Sequence, residues 1–466
     1  MMTGSNSADT EGRGGSREDE IVERQKIQDL FLIKNGYVID PRTGQEGEVD
    51  ILTGEGKILR MGDCCRWTDL AGRAGLREFD ARGLIVAPGL VDVHAHFRDP
   101  GFVYKEDIVS GSRAAARGGF TTVVLMANTR PAVDNGEVLA YVLEKGKGTG
   151  IHVESCAAVT KGLQGKELTD MEGLLAAGAV GFTDDGIPLG EETARQAMKK
   201  AAELGAVLSF HEEDPVCIVN NGIHAGAASV HFGIGGSPRE AEIRMVERDI
   251  RLAQESGAVV NFQHISTKEA VELIRCAKEN NVQVHAEATP HHFTLTQDAA
   301  IKYGTLAKMN PPLREEADRK AIIEGLRDDT IDLIATDHAP HGKEEKEKPI
   351  TLAPSGIIGL ETALALGITS LVKTGEMTLM SLLEKMTWNP ARMYGLDRGY
   401  LAEGAPADLV IFDADKRWKV ERFVSKACNS PFTGWELCGK VEATVCGGRL
   451  IYETKEESDR QGHIAE

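Results

Sequence analysis

Six side chains in this 466-residue chain have the types and the placement for metal chemistry. His94 and His96 end the apolar run Ile85-Val86-Ala87-Pro88-Gly89-Leu90-Val91-Asp92-Val93-His94-Ala95-His96. Side chains alternate across a strand, so the i, i+2 spacing puts both imidazoles on one face, about 7 Å apart at their Cα atoms. Asp184, His211, His264 and Asp337 each stand at or just beyond another apolar run. Four imidazoles and two carboxylates form a borderline ligand set that suits Zn²⁺. Six ligands are too many for one tetrahedral ion, so the pattern points to two zinc ions sharing a carboxylate and a hydroxide. Such a pair lowers the pKa of bound water from ~16 to about 7 and polarises a carbonyl for attack. Its small positive excess would favour an anionic substrate. Taken singly, any of these residues reads more simply as a packed histidine or a helix-capping aspartate, and it is their shared placement that argues for a site. His152, His224, His231, His285, His291, His292 and His463 lack that placement, and strand alternation turns His338 away from Asp337.

The elements that would carry these residues alternate regularly. Between residues 86 and 395, eight apolar strand-like runs are interleaved with Ala/Glu/Lys-rich helical stretches: 86–93, 120–126, 152–159, 179–183, 206–210, 258–262, 282–286 and 331–336. Eight βα units in about 300 residues predict a (β/α)₈ TIM barrel of the α/β class, whose active site lies at the C-terminal strand ends. A doubly wound open sheet would carry a Gly-rich phosphate turn after its first strand, where this chain has histidines. Short alternating segments between residues 28 and 85, and again between 396 and 455, predict antiparallel strands that join both chain ends in one small β-sandwich. Residues 1–27 and 456–466 read as tails, the first of them disordered.

Composition narrows the function class. A formal charge of −19 argues against nucleic-acid or anionic-membrane partners. Eight scattered cysteines without a C-x-x-C pair fit reduced thiols. No apolar run approaches the ~20 residues of a membrane span, and the acidic amino terminus is unlike a signal peptide. A cytoplasmic protein is expected.

Longer motifs carry a family resemblance: Asp92-Val93-His94-Ala95-His96-Phe97-Arg98-Asp99-Pro100-Gly101, Met126-Ala127-Asn128-Thr129, Gly181-Phe182-Thr183-Asp184-Asp185-Gly186, His211-Glu212-Glu213-Asp214, Gln263-His264-Ile265-Ser266, Thr289-Pro290-His291-His292, Asn310-Pro311-Pro312-Leu313-Arg314 and Ala335-Thr336-Asp337-His338-Ala339-Pro340-His341. From about residue 28 to 455 the chain resembles the amidohydrolase superfamily and, within it, the bacterial type I dihydroorotases. That resemblance implies reversible hydrolysis of the cyclic amide of dihydroorotate to N-carbamoyl-aspartate in pyrimidine synthesis, with two Zn²⁺ per subunit. It implies that His94, His96 and Asp337 hold one zinc, that His211 and His264 hold the second, and that Asp184 bridges them. Asp337 would also be the catalytic base, returning its proton to the departing ring nitrogen. For the substrate carboxylate it implies Arg98, assisted by Asn128 and His341, with Asn310 and the Ser355-Gly356 loop as further substrate contacts.

The chain departs from the family at two points. Many amidohydrolases bridge their metals with a carboxylated lysine on the fourth strand, and its absence here weighs against the alternatives of hydantoinase/dihydropyrimidinase and allantoinase. Ser355 replaces the usual aromatic before the loop glycine. A non-catalytic scaffold for aspartate transcarbamoylase is a further alternative, disfavoured because every ligand position is filled. That transcarbamoylase as a partner, and a homo-oligomer, also remain open. The charged segment 341–349, directly after the eighth run, is expected to form a mobile lid.

Overall fold

The computed structural model describes residues 29–70 and 75–454; both predicted tails lie outside the described residues. Two bodies of secondary structure share the chain. Both chain ends meet in a six-stranded sheet, ordered Arg449–Glu453, Glu436–Cys446, Leu409–Lys419, Ile85–Pro88, Tyr37–Asp40 and Gln45–Glu48. A four-stranded sheet, ordered Lys57–Gly62, Asp50–Gly54, Phe31–Lys34 and Arg77–Asp80, shares a core with it through Ile33, Val38, Ile51, Val86, Leu409 and Val445. Asn35, at φ 60°, turns the chain between Phe31–Lys34 and Tyr37–Asp40, so the two halves of one apolar segment enter different sheets.

The second body is α/β. Leu90–Ala95 pairs in parallel with Phe120–Leu125, which pairs with His152–Ser155. Ala157 bridges to Phe182, and Phe182 to Leu208. From there the parallel series continues through Val207–Phe210, Val259–Phe262, Val284–Ala288 and Leu333–Ile334, and His338 bridges back to Ala95. The strands are short and largely buried along their whole length, as parallel strands covered on both faces must be. Helices separate successive members. In Lys268–Glu279, for example, Ala270, Val271, Ile274 and Ala277 form the buried stripe, and the Thr267 side chain caps the first turn.

The expected first strand, 86–93, divides at Gly89. Its amide donates to Asp408 O at 2.9 Å in the terminal sheet, while the next amide, Leu90 N, donates to Gly119 O at 3.0 Å in the α/β body. A Cβ on Gly89 would lie 2.2 Å from Thr121 Oγ1, so only glycine passes this crossing. The terminal body therefore extends to Pro88 rather than ending at residue 85. No helix among the described residues is long and apolar enough to cross a membrane, and the eight cysteines are free.

Candidate active site

The functional side chains sit where the parallel strands end. His94 lies in Leu90–Ala95 and His96 just past it; His211 follows Val207–Phe210, His264 follows Val259–Phe262, and Asp337 follows Leu333–Ile334. Three non-glycine site residues hold a positive φ: Arg98 (59°), His264 (33°) and Asp337 (46°). For non-glycine residues this costs of order 1–3 kcal/mol each, a strain that surrounding packing must hold and that concentrates at functional sites.

The ligand atoms converge. His94 Nε2 and His96 Nε2 lie 3.6 and 3.2 Å from Asp337 Oδ1. Asp185, rather than Asp184, supplies the second carboxylate: its Oδ1 is 3.6 Å from His94 Nε2 and 3.8 Å from His211 Nδ1, and its Oδ2 is 3.5 Å from His96 Nε2. His211 Nδ1 faces His264 Nε2 at 3.1 Å. Two sets of donors, His94/His96/Asp337 and His94/Asp185/His264, each have all their ligand atoms within 4.8 Å of one another.

The expected role of Asp184 is corrected by its surroundings. Its carboxylate turns back and accepts from Val159 N at 2.8 Å, from Thr160 N at 3.1 Å and from the Thr160 hydroxyl. It closes the turn after the third strand, with both of its oxygens engaged there. Asp185 is the residue on their side, two positions past Thr183, whose hydroxyl faces Gln263 from within the same cluster.

Outer partners fix the rings. His94 Nδ1 meets Glu287 Oε2 at 3.0 Å, and Glu287 Oε1 accepts from Asn261 at 2.6 Å. His211 Nε2 meets Glu213 Oε2 at 3.2 Å, and Ser237 donates to the other oxygen. Asn128, expected as a substrate contact, has its amide committed to His96 Nδ1 at 2.9 Å and to Asp185 Oδ2 at 2.8 Å. Glu287, Glu213 and Asp185 escaped the sequence reading. A lone glutamate in the buried strand Val284–Ala288 was the available signal for the first.

Electrostatics divide the histidines. Burial alone would lower His94, but Glu287, Asp337 and Asp185 outweigh it and lift the ring up to about 10. Burial and the neighbouring rings hold His264 well below the ordinary value, which keeps it neutral. Burial would raise Asp185, yet His96, His94, His211 and Arg98 hold it below the usual carboxylate range. His94 Nε2 is buried with no hydrogen-bond partner among the described residues. A buried donor set with an orphaned imidazole nitrogen and acidic surroundings fits a divalent cation.

Above the set opens a cleft of about 200 Å³ lined by Arg98, Asn128, Asn310, His341, Ser355 and Gly356 beside His96, His211, His264, Asp185 and Asp337. All six expected substrate contacts thus border one space. The His341 ring is itself engaged, through Nε2 with Ser355 O at 2.7 Å and Nδ1 with Lys105 Nζ at 3.3 Å. Burial together with Arg98, Lys105 and Lys346 pushes it down to about 2, so it stays neutral.

A model described as the Amidohydrolase family matches residues 85–451. The chain is 54% identical over 424 residues to a dihydroorotase of Clostridioides difficile and 52% identical over 429 residues to one of Clostridium acetobutylicum, in each case across 91% of this chain and 100% of the relative. Among solved structures, the L-hydantoinase (dihydropyrimidinase) of Arthrobacter aurescens superposes with a TM-score of 0.81 at 26% identity, covering 92% of this chain and 97% of its own. A D-hydantoinase from Thermus sp. superposes with a TM-score of 0.79 at 24% identity, over 92% and 97%, and speaks for the fold alone.

Proposed function

Because this chain belongs to the amidohydrolase family and, within it, to the dihydroorotases, we propose that it catalyses the reversible hydrolysis of dihydroorotate to N-carbamoyl-aspartate at the His94–Asp337 cleft. The parallel series that returns to its first strand supports reading the α/β body as a (β/α)₈ barrel with the cleft at its C-terminal mouth. The observation that carries the function is the convergence of His94, His96, Asp185, His211, His264 and Asp337 beneath a cleft lined by the half-buried Arg98.

The donors fit two Zn²⁺ ions, one held by His94, His96 and Asp337, the other by His211 and His264, with Asp185 facing both groups. Zinc bound there would make water a nucleophile near neutral pH and polarise the amide carbonyl. The remaining work falls to the protein. Asp337 takes a proton at its carboxylate and delivers it to the ring nitrogen as the amide opens, and the reverse condensation uses the same carboxylate. Arg98 offers a fork of N–H donors for the substrate carboxylate. Asn310 and the Ser355–Gly356 backbone border the ring, while Asn128 orients His96 and Asp185.

The test is turnover of dihydroorotate by the zinc-loaded protein, followed at the loss of its ring absorbance, beside hydantoin and dihydrouracil. Preference for dihydroorotate is expected. Turnover of a hydantoin in preference to it would overturn this reading.

A further inference from the structure

The segment after Asp337, expected as a mobile lid, is tied down by two buried lysines. Lys346, in the short helix Lys343–Lys346, is 4% exposed, and its Nζ donates to Pro354 O at 2.9 Å, Gly356 O at 3.0 Å and Lys308 O at 3.4 Å. Lys308 is equally buried and donates to Ile350 O at 2.8 Å and Ala353 O at 2.7 Å. The Gly356 amide returns a bond to Lys308 O at 2.9 Å. Asn429 completes the frame, accepting from His341 N at 3.1 Å and donating to Ala339 O and Gly356 O.

Neither ammonium has a carboxylate partner among the described residues. Burying a charge against carbonyls alone is costly, and burial with Lys308 alongside draws Lys346 down to about 7. A methionine would fill the same space without that cost. What the two ammonium groups add is geometry: together they hold five carbonyl oxygens between residues 308 and 356. Ser355 and Gly356, at the end of that stretch, border the cleft, and Ser355 O holds the His341 ring.

We propose that Lys346, supported by Lys308, is a positioning residue for substrate binding: it fixes the 350–356 backbone, and through it the Ser355–Gly356 edge and the His341 ring, before substrate arrives. The proposal rests on reading the cleft as the substrate site. A preformed edge lowers the ordering cost of binding and leaves the reacting groups around Asp337 untouched.

The experiment compares zinc-loaded wild type with Lys346→Met, and with Lys308→Met should the first variant fail to fold. The KM for dihydroorotate is expected to rise about tenfold or more with kcat kept within roughly threefold. Amide hydrogen exchange across 350–356 is expected to accelerate. An unchanged KM, a fall in kcat in place of the KM effect, or unchanged exchange would each overturn the proposal. A wild type that ignores dihydroorotate would instead count against the proposed function; the KM comparison is then made on the cyclic amide it does hydrolyse, and the exchange comparison stands as before.

Discussion

Replacing Asp184 and Asp185 separately with alanine should give opposite phenotypes. Asp184→Ala strands two backbone N–H groups, those of Val159 and Thr160, together with the Thr160 hydroxyl, all in a buried turn. Hydrogen bonds to a charged acceptor contribute roughly 1.5–3 kcal/mol each; with three of them lost and some water entering the gap, the loss falls near the low end of the sum, about 4.5 kcal/mol. Its metal content should stay close to that of wild type. Asp185→Ala leaves that turn intact and removes the carboxylate facing His94, His96 and His211. Loss of a ligand should exceed the roughly 10–100-fold drop in metal affinity that loss of an outer partner brings. The metal-free protein should lose less stability than Asp184→Ala does, because only the Asn128 bond and the longer contacts to the histidines go. Urea denaturation of the metal-free forms and elemental analysis after dialysis against buffered zinc read the two effects independently. The assignment fails if Asp184→Ala sheds metal at wild-type stability while Asp185→Ala retains it.

Glu287→Gln keeps the bond to His94 Nδ1 in shape but removes its charge, and should weaken zinc affinity about 10–100-fold in a competition titration. Arg98→Ala should chiefly raise KM for dihydroorotate, because the fork that receives the carboxylate is lost while the metal ligands are not, as steady-state kinetics would show. Away from the site, burial would raise Asp332, but His285 and Lys278 outweigh it and hold the carboxyl at about 2. A depressed acid contributes stability above its unfolded pKa of about 3.9 and loses it as pH falls toward 2. Asp332→Asn should therefore cost the metal-free protein about 2.5 kcal/mol at pH 6 and roughly half of that at pH 3, measured by urea denaturation.

The histidine positions were legible because a strand's period of two is simple and His94, His96, His211 and His264 each follow an apolar run. The alternation of strands and helices was legible for the same reason. Where the backbone leaves that period, the sequence misled. Among the described residues Phe182 pairs through two single bridges and belongs to no longer strand, so nothing in 179–185 reveals which of two adjacent aspartates faces inward. Counting two residues on from Thr183 gives Asp185, but the inward face of Thr183 is visible only from its contact with Gln263. The division at Gly89 was hidden because both halves of 86–93 are equally apolar and only the two acceptors, Asp408 O and Gly119 O, separate them. The buried anchor at Lys346 was not legible either: a charge-rich segment reads as solvated, and no local pattern announces an ammonium buried on three carbonyls.

Two zinc ions are proposed on either side of Asp185. An anomalous difference map from crystals of the zinc-loaded protein tests this most directly. Two peaks are predicted, both near Asp185, one at about 2.0–2.2 Å from His94, His96 and Asp337 atoms and the other at similar distances from His211 and His264. A single peak, or ions coordinated by Asp184, would contradict the account.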